Sequence, residues 1–342
     1  MGAAYCWGWN VVGQLGDGTT DNRTTPVVVS MPAGVTFASL MSGMAYNCAL
    51  TSAGAAYCWG DNHRGELGDG TNTQRRTPVA VSMPAGVTFA SLSTGSQHTC
   101  ALTVAGVAYC WGANSEGQLG NDTLTDSNTP VKINSPAGVT WASLRVSVHH
   151  TCALTRVGVA YCWGRNSLGQ LGDGTRLQRD GMVQVKVPNG FTFASLSAGA
   201  NHTCALTRAG VAYCWGYNGN GLLGNGTFAL GTQPLEVKRP TGVTFASISA
   251  GANHNCALTN AGAAYCWGWN REGQIGDNTT TDRSTSVAVR MPAGVTFASL
   301  SVGGDHTCAR TRAGAAYCWG DNGNGQLGDG TDTSRITPVI VP

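Results

Sequence analysis

The chain has 342 residues, with 49 glycines, 13 cysteines, only 11% charged residues and a formal net charge of +2. A hydrophobic share of 42% is too high for a disordered chain, and no apolar run approaches the ~18–20 residues of a membrane span. A near-neutral balance without a basic cluster argues against a nucleic-acid binder, and Met1 leads straight into patterned sequence with no leader-like stretch read there.

The first element in chain order is A-Y-C-W-G. Its tryptophan returns as Trp7, Trp59, Trp111, Trp163, Trp215, Trp267 and Trp319, each 52 residues after the last. A run of the type T-P-V-V-V follows, as at Thr25 to Val29. G-V-T-F-A-S-L then begins at Gly34, Gly86, Gly138, Gly190, Gly242 and Gly294, with small variations. C-A-L-T begins at Cys48, Cys100, Cys152, Cys204 and Cys256, and reads C-A-R-T at Cys308. Each run is short, rich in β-formers and bounded by glycine, and none keeps a helical period. Four short strands per ~40–50-residue period predict propeller blades. The expectation is therefore an all-β, seven-bladed β-propeller of four-stranded antiparallel blades, forming a single domain over 1–342. Residues 1–31 supply the outer half of an incomplete blade, and 32–342 supply six full blades. One period running end to end excludes two independent domains.

In each complete unit two cysteines lie ten residues apart: Cys48 and Cys58, Cys100 and Cys110, Cys152 and Cys162, Cys204 and Cys214, Cys256 and Cys266, Cys308 and Cys318. Between them stands T-x-x-G-x, such as Thr51 to Ala55, which suits a three-residue hairpin loop with glycine in a left-handed position. That register sets each pair face to face at a non-hydrogen-bonded site, where Cα atoms approach to ~4.5 Å. Six cross-strand disulfides fit, each closing a short loop and adding ~2–3 kcal/mol. Buried thiols packing as small apolar groups are the alternative, and metal binding is the weakest reading because each pair lacks two further ligands. Cys6 has no partner ten residues upstream, so it is expected to be unpaired. The absent inner half of its blade reads as a cut from a longer array, open to self-association or strand donation.

The motif A-Y-C-W-G-x-N-x-x-G-Q-L-G-D-G-T, followed by T-P-V and G-x-x-H-T-C-A-L-T, resembles the repeat of the regulator of chromosome condensation family. The resemblance covers essentially the whole chain and implies a seven-bladed β-propeller that serves as an interaction platform. It also raises guanine-nucleotide exchange on a small GTPase, the founding member's activity. Strict 52-residue spacing leaves no room for an inserted wedge, and no basic tail for chromatin is read. A plant ultraviolet-B receptor of this fold uses tryptophans in G-W-R-H-T. Here those positions read G-A-N-H-T or similar, so light sensing is not expected.

Within a repeat, constant positions serve the fold and variable ones are free to bind. After C-W-G the asparagine and final glycine stay fixed, while the first position changes: Trp9, Asp61, Ala113, Arg165, Tyr217, Trp269, Asp321. Neighbouring positions change too, including His63 with Arg64, and Arg271. The loop before H-T-C also varies, and strand order places both loops at one face. Trp9, Asp61, His63, Arg64, Arg165, Tyr217, Trp269, Arg271 and Asp321 are therefore the candidate binding residues, aromatics and arginine being the usual anchors of binding surfaces. Drift in exposed loops is the alternative.

The seven C-W-G tryptophans are read as structural, as are His98, His150, His202, His254 and His306, each bonding backbone in its turn. G-Q-L-G-D-G-T lacks the lysine of a phosphate loop, and Asp17 with Asp21, or Asp277 with Asp282, does not match a calcium loop. No catalytic set breaks the repeat. No enzyme activity, cofactor, metal or nucleic acid is expected. The sequence reads as a binding or structural scaffold for a protein or glycan partner. Paired cysteines with few lysines favour an extracellular or cell-surface setting; reduced cysteines would favour the cytoplasm. Nucleotide exchange and a self-assembling surface array are the alternatives.

Overall fold

The computed structural model describes residues 3–342. Among these, every strand is antiparallel to its neighbour, and the sheets follow the period of the sequence. Blade 1 holds β1 (Tyr5–Gly8) and β2 (Arg23–Val28) alone. Blade 2 holds β3 (Ser39–Ser42), β4 (Tyr46–Leu50), β5 (Ala56–Gly60) and β6 (Arg75–Ala80). Blade 3 holds β7 (Ser91–Thr94), β8 (His98–Leu102), β9 (Ala108–Gly112) and β10 (Ser127–Lys132). Blade 4 holds β11 (Trp141–Val146), β12 (His150–Thr155), β13 (Ala160–Gly164) and β14 (Arg179–Gln184). Blade 5 holds β15 (Ser195–Ala198), β16 (His202–Leu206), β17 (Ala212–Gly216) and β18 (Gly231–Glu236). Blade 6 holds β19 (Ser247–Ala250), β20 (His254–Leu258), β21 (Ala264–Gly268) and β22 (Arg283–Ala288). Blade 7 holds β23 (Ser299–Val302), β24 (His306–Arg310), β25 (Ala316–Gly320) and β26 (Arg335–Ile340). The fold is an all-β propeller of six four-stranded blades and one two-stranded blade.

The chain divides into two compact units. Unit 1 comprises Met1–Arg156, Tyr161–Arg165 and Gln178–Val183; unit 2 comprises Val157–Ala160, Asn166–Leu177 and Gln184–Pro342. Unit 1 contains blades 1 to 3 and most of blade 4, and unit 2 contains blades 5 to 7.

The hairpin between the second and third strands follows from its turn. Thr51 N–H donates to the Ala55 carbonyl at 2.9 Å, and Gly54 holds φ at +81°, a conformation open to glycine. A Cβ there would also strike the Phe89 backbone of the next blade. Counting back from this turn, Cys48 pairs with Cys58, and the same register recurs at Cys100–Cys110, Cys204–Cys214, Cys256–Cys266 and Cys308–Cys318. All six pairs, Cys152–Cys162 included, are disulfides with Cα atoms 4.1 Å apart. Cys6 is the one free cysteine among the described residues.

In every full blade but blade 4 the first strand is shorter than its sequence suggests. In blade 3 it covers Ser91–Thr94, and Val-Thr-Phe lies outside it. There Phe89 N–H bonds the Gly54 carbonyl of blade 2, while its ring stacks on Trp111 at 5.9 Å. The segment is diverted from its own sheet to join two blades.

The core lies between blades rather than within them. In unit 1, Cys48, Leu50 and Cys58 of blade 2 pack with Phe89, Leu92, Ala101 and Trp111 of blade 3. In unit 2, Cys256, Leu258 and Cys266 of blade 6 pack with Phe297, Ala309 and Trp319 of blade 7. The disulfides thus sit inside the inter-blade cores.

Candidate functional site

The fixed asparagine shapes the loop that follows C-W-G. Asn62 Oδ1 accepts the Leu67 N–H at 2.9 Å, and its Nδ2 donates to the Thr71 and Thr73 carbonyls at 3.0 and 3.1 Å. Asn10, Asn114, Asn166, Asn218, Asn270 and Asn322 accept the corresponding N–H in their own loops. This core holds the loop while its outer positions vary.

A second bond joins that loop to the variable turn between the first two strands. In unit 1, the N–H of Asp61, Ala113 and Arg165 donates to the carbonyl of Ala45, Gln97 and His149 at 2.8–2.9 Å. In unit 2, the N–H of Tyr217, Trp269 and Asp321 donates to Asn201, Asn253 and Asp305 at 2.8–2.9 Å. The most variable position of one loop is therefore clipped to the other loop at the same end of each sheet.

In unit 1, Trp9, His63 and Arg64 are exposed, while Asp61 and Arg165 are half-buried. Asp61 is bonded to His63 Nδ1, and this bond holds the exposed imidazole above its usual pKa. Arg64 reaches Asp126 at 3.3 Å. In unit 2, Tyr217 and Arg271 are exposed, while Trp269 and Asp321 are half-buried. The Tyr217 ring folds back over Gly219, where a Cβ would strike its hydroxyl. Asp305, not singled out from the sequence, lies beside this group: Asn253 Nδ2 donates to its Oδ1 at 3.5 Å. Burial pushes the Asp305 carboxyl up, assisted by the charge of Asp321, against the Asn253 bond. The sequence signal for Asn253 and Asp305 was the variation of the turn before H-T-C.

The histidines act differently from the expectation. Instead of backbone in their own turn, the Nε2 atoms of His98 and His254 meet the hydroxyls of Thr151 and Thr307 on the following blade, at 2.9 and 2.6 Å, and His202 Nε2 meets Asn255 Oδ1 at 2.7 Å. Each partner also donates to a carbonyl: Thr151 to Gln118, Thr307 to Gln274, and Asn255 to Leu222. The C-W-G tryptophan uses the same carbonyl. Trp163 Nε1 donates to Gln118 at 2.9 Å, Trp267 to Leu222 at 3.1 Å and Trp319 to Gln274 at 3.0 Å. His150 meets Ser147 Oγ through Nδ1 at 2.7 Å. Burial pushes His98 and His254 down to about 3 and His202 to about 4, so all three stay neutral.

The aspartates weighed as calcium ligands brace a turn. Asp17 Oδ1 accepts from Thr19, and its Oδ2 pairs with Arg23 at 3.2 Å; Asp277 does the same with Thr279 and Arg283. Asp282 accepts the Asn270 N–H. Among the described residues, no three His, Cys, Asp or Glu side chains form a metal-binding group, and no helix is long and apolar enough to cross a membrane.

A tandem-repeat propeller with one clipped pair of variable loops per full blade defines a class of repeat proteins. The regulator of chromosome condensation (RCC1) repeat matches residues 1–50, 53–102, 105–154, 158–206, 209–258, 261–310 and 313–342, so the chain belongs to that family. It is 32% identical over 336 residues to the ultraviolet-B receptor UVR8 of Arabidopsis thaliana, covering 98% of this chain and 76% of the relative. Among solved structures, yeast RCC1 (Prp20) bound to Kap60 superposes with a TM-score of 0.88 at 23% identity, over 99% of this chain and 83% of that one. Prp20p of Saccharomyces cerevisiae, described with its binding to Gsp1p and histones, gives a TM-score of 0.86 at 25% identity, over 99% and 85%.

Proposed function

We propose that this chain is a non-enzymatic binding scaffold whose clipped variable loops engage a protein partner. The observation that carries this reading is the bond joining the most variable position of one loop to the second variable loop in every full blade. Such a clip holds changeable side chains on rigid strand ends, which lowers the ordering cost of binding. In unit 2, Tyr217 and Trp269 supply aromatic anchors, and Asn253, clipped to Trp269, reaches Asp305, which lies beside Asp321. That combination suits a partner carrying basic side chains. The family supports the reading too, since yeast RCC1 was solved bound to Kap60 and Prp20p is described as binding Gsp1p and histones.

The test is affinity for an identified partner after replacing Tyr217 and Trp269 by alanine. Binding should fall at least tenfold while the circular dichroism spectrum is unchanged; unaltered affinity rejects this site. A glycan array distinguishes a sugar ligand, and nucleotide release from a small GTPase tests exchange activity. The six disulfides support an extracellular or cell-surface setting. Alkylation of thiols under denaturing, non-reducing conditions on isolation from the native source should leave the twelve paired cysteines unlabelled; labelling of them would place the protein in a reducing compartment.

A further inference from the structure

The loop of blade 5 between its third and fourth strands departs from the repeat, and each time towards an uncharged side chain. In the other six units this loop carries aspartate, glutamate or arginine; residues 217–230 carry none. Asp277 and Arg283, the ion pair that braces the blade 6 loop, are replaced one repeat earlier by Asn225 and Gly231. Asp282, which accepts the Asn270 N–H, is replaced by Leu230, and Thr280 by Phe228. Folding leaves these side chains at the surface: Phe228 is 62% exposed, Leu230 39% and Tyr217 37%. Asn218 Nδ2 donates to the Thr227 and Ala229 carbonyls at 3.0 and 2.9 Å. Those bonds hold the segment bearing Phe228 and Leu230 against the start of the loop, where Tyr217 stands.

Backbone joins this loop to the acidic end of unit 2. The turns before the second strands form a hydrogen-bonded series: Ala200 N–H donates to the Gly251 carbonyl at 3.3 Å, and Ala252 N–H to Gly303 at 3.2 Å. The same turns clip Tyr217, Trp269 and Asp321. Blades 5, 6 and 7 therefore present these three side chains in order, apolar at one end and acidic at the other. Neither carboxylate there meets a lysine or arginine among the described residues. Asp305 takes the Asn253 amide, and Asp321 takes the Gly323 N–H and the Gln326 amide. Burial and the charge of Asp321 push the Asp305 carboxyl up, and an arriving cation would offset both. On the loop between, Arg271 and Glu272 carry one charge of each sign.

We propose that this surface takes an extended segment of a partner protein that carries an apolar side chain and, further along, an arginine. The proposal rests on the reading of the clipped loops as a binding surface, and it specifies the segment they accept. The apolar side chain packs on Tyr217, Phe228 and Leu230. The guanidinium reaches Asp305 and Asp321, whose carboxylates suit its planar set of donors. The stretch between crosses Trp269. Two steps from sheet to sheet at ~10 Å each make about 20 Å. An extended chain at ~3.3 Å per residue covers that in about six residues. Two neighbouring carboxylates repel phosphate, so a nucleic acid or an anionic lipid surface does not fit.

Dodecapeptides displayed on phage and selected on the whole chain supply the probe, after depletion on the Tyr217→Ala, Trp269→Ala double variant. Survivors should share an arginine and a large apolar residue about six positions apart. Made as synthetic peptides and read by fluorescence anisotropy, they should bind at least tenfold more weakly once citrulline replaces the arginine. Asp305→Asn with Asp321→Asn should cost as much and flatten the salt dependence. Phe228→Ser with Leu230→Ser should weaken binding at least fivefold with an unchanged circular dichroism spectrum. Survivors that lack arginine, or that ignore citrulline and both pairs of substitutions, overturn this proposal and leave the clipped loops as a binding surface. No survivors after depletion overturns that reading, and this proposal with it. The citrulline peptide meets the unmodified protein, so it decides the matter even where a variant folds poorly.

Discussion

The buried histidines make stability depend on acid. With folded-state values of about 3 for His98 and His254 and about 4 for His202, all below 6.5, the unfolded chain binds more protons as pH falls through that window. Stability should therefore be level above about pH 7 and decline below it, each histidine adding a slope of about 1.4 kcal/mol per pH unit. Urea unfolding between pH 7 and 4 measures this, and a flat profile would contradict the neutral, buried assignment. Glu66 has the opposite sign. It stands where five of the other six units carry glutamine, and it accepts the Arg64 N–H as Gln118 accepts that of Glu116. Burial pushes its carboxyl up, so its stabilising effect is present below the ordinary carboxylate range and is lost as pH rises through the folded value. Glu66→Gln should remove that decline, and its stability relative to wild type should grow from about pH 4.5 upward. Parallel urea titrations at pH 4 and 7 compare the two.

The hairpin is the element that the sequence specified most fully. Its three-residue turn lies within five residues of chain, so the cysteine register follows from local counting; the structure reproduces it in blades 2, 3, 5, 6 and 7 and joins the same cysteine pair in blade 4. The loop after C-W-G was legible in outline only. Its fixed asparagine was visible, but not the bonds that explain it. Asn62→Ala should cost about 2–4 kcal/mol, the sum of several buried hydrogen bonds at roughly 1 kcal/mol each; urea unfolding with an unchanged slope would record it. Reduction should lower the unfolding midpoint markedly, since each disulfide contributes ~2–3 kcal/mol through a short closed loop. An unchanged midpoint with dithiothreitol in the denatured and refolded samples would show the bonds to be energetically idle. Val-Thr-Phe has strand character, yet in blade 3 the partners of Phe89, Gly54 and Trp111, lie on two different blades.

For the whole molecule, sequence periodicity determined the class of fold, the number of blades, the strand order and the half-built first blade. It did so because each blade repeats one local pattern and every strand pairs with its neighbour in sequence. Only the tertiary structure decided what passes between blades: that the histidine reaches the next blade's threonine or asparagine, that tryptophan and threonine share one carbonyl, and that the disulfides lie in inter-blade cores. It alone clipped Trp269 to Asn253 and set Asp305 beside them. These contacts join residues a full repeat apart. Their geometry depends on how one twisted sheet packs against the next, which turn length and strand periodicity do not specify.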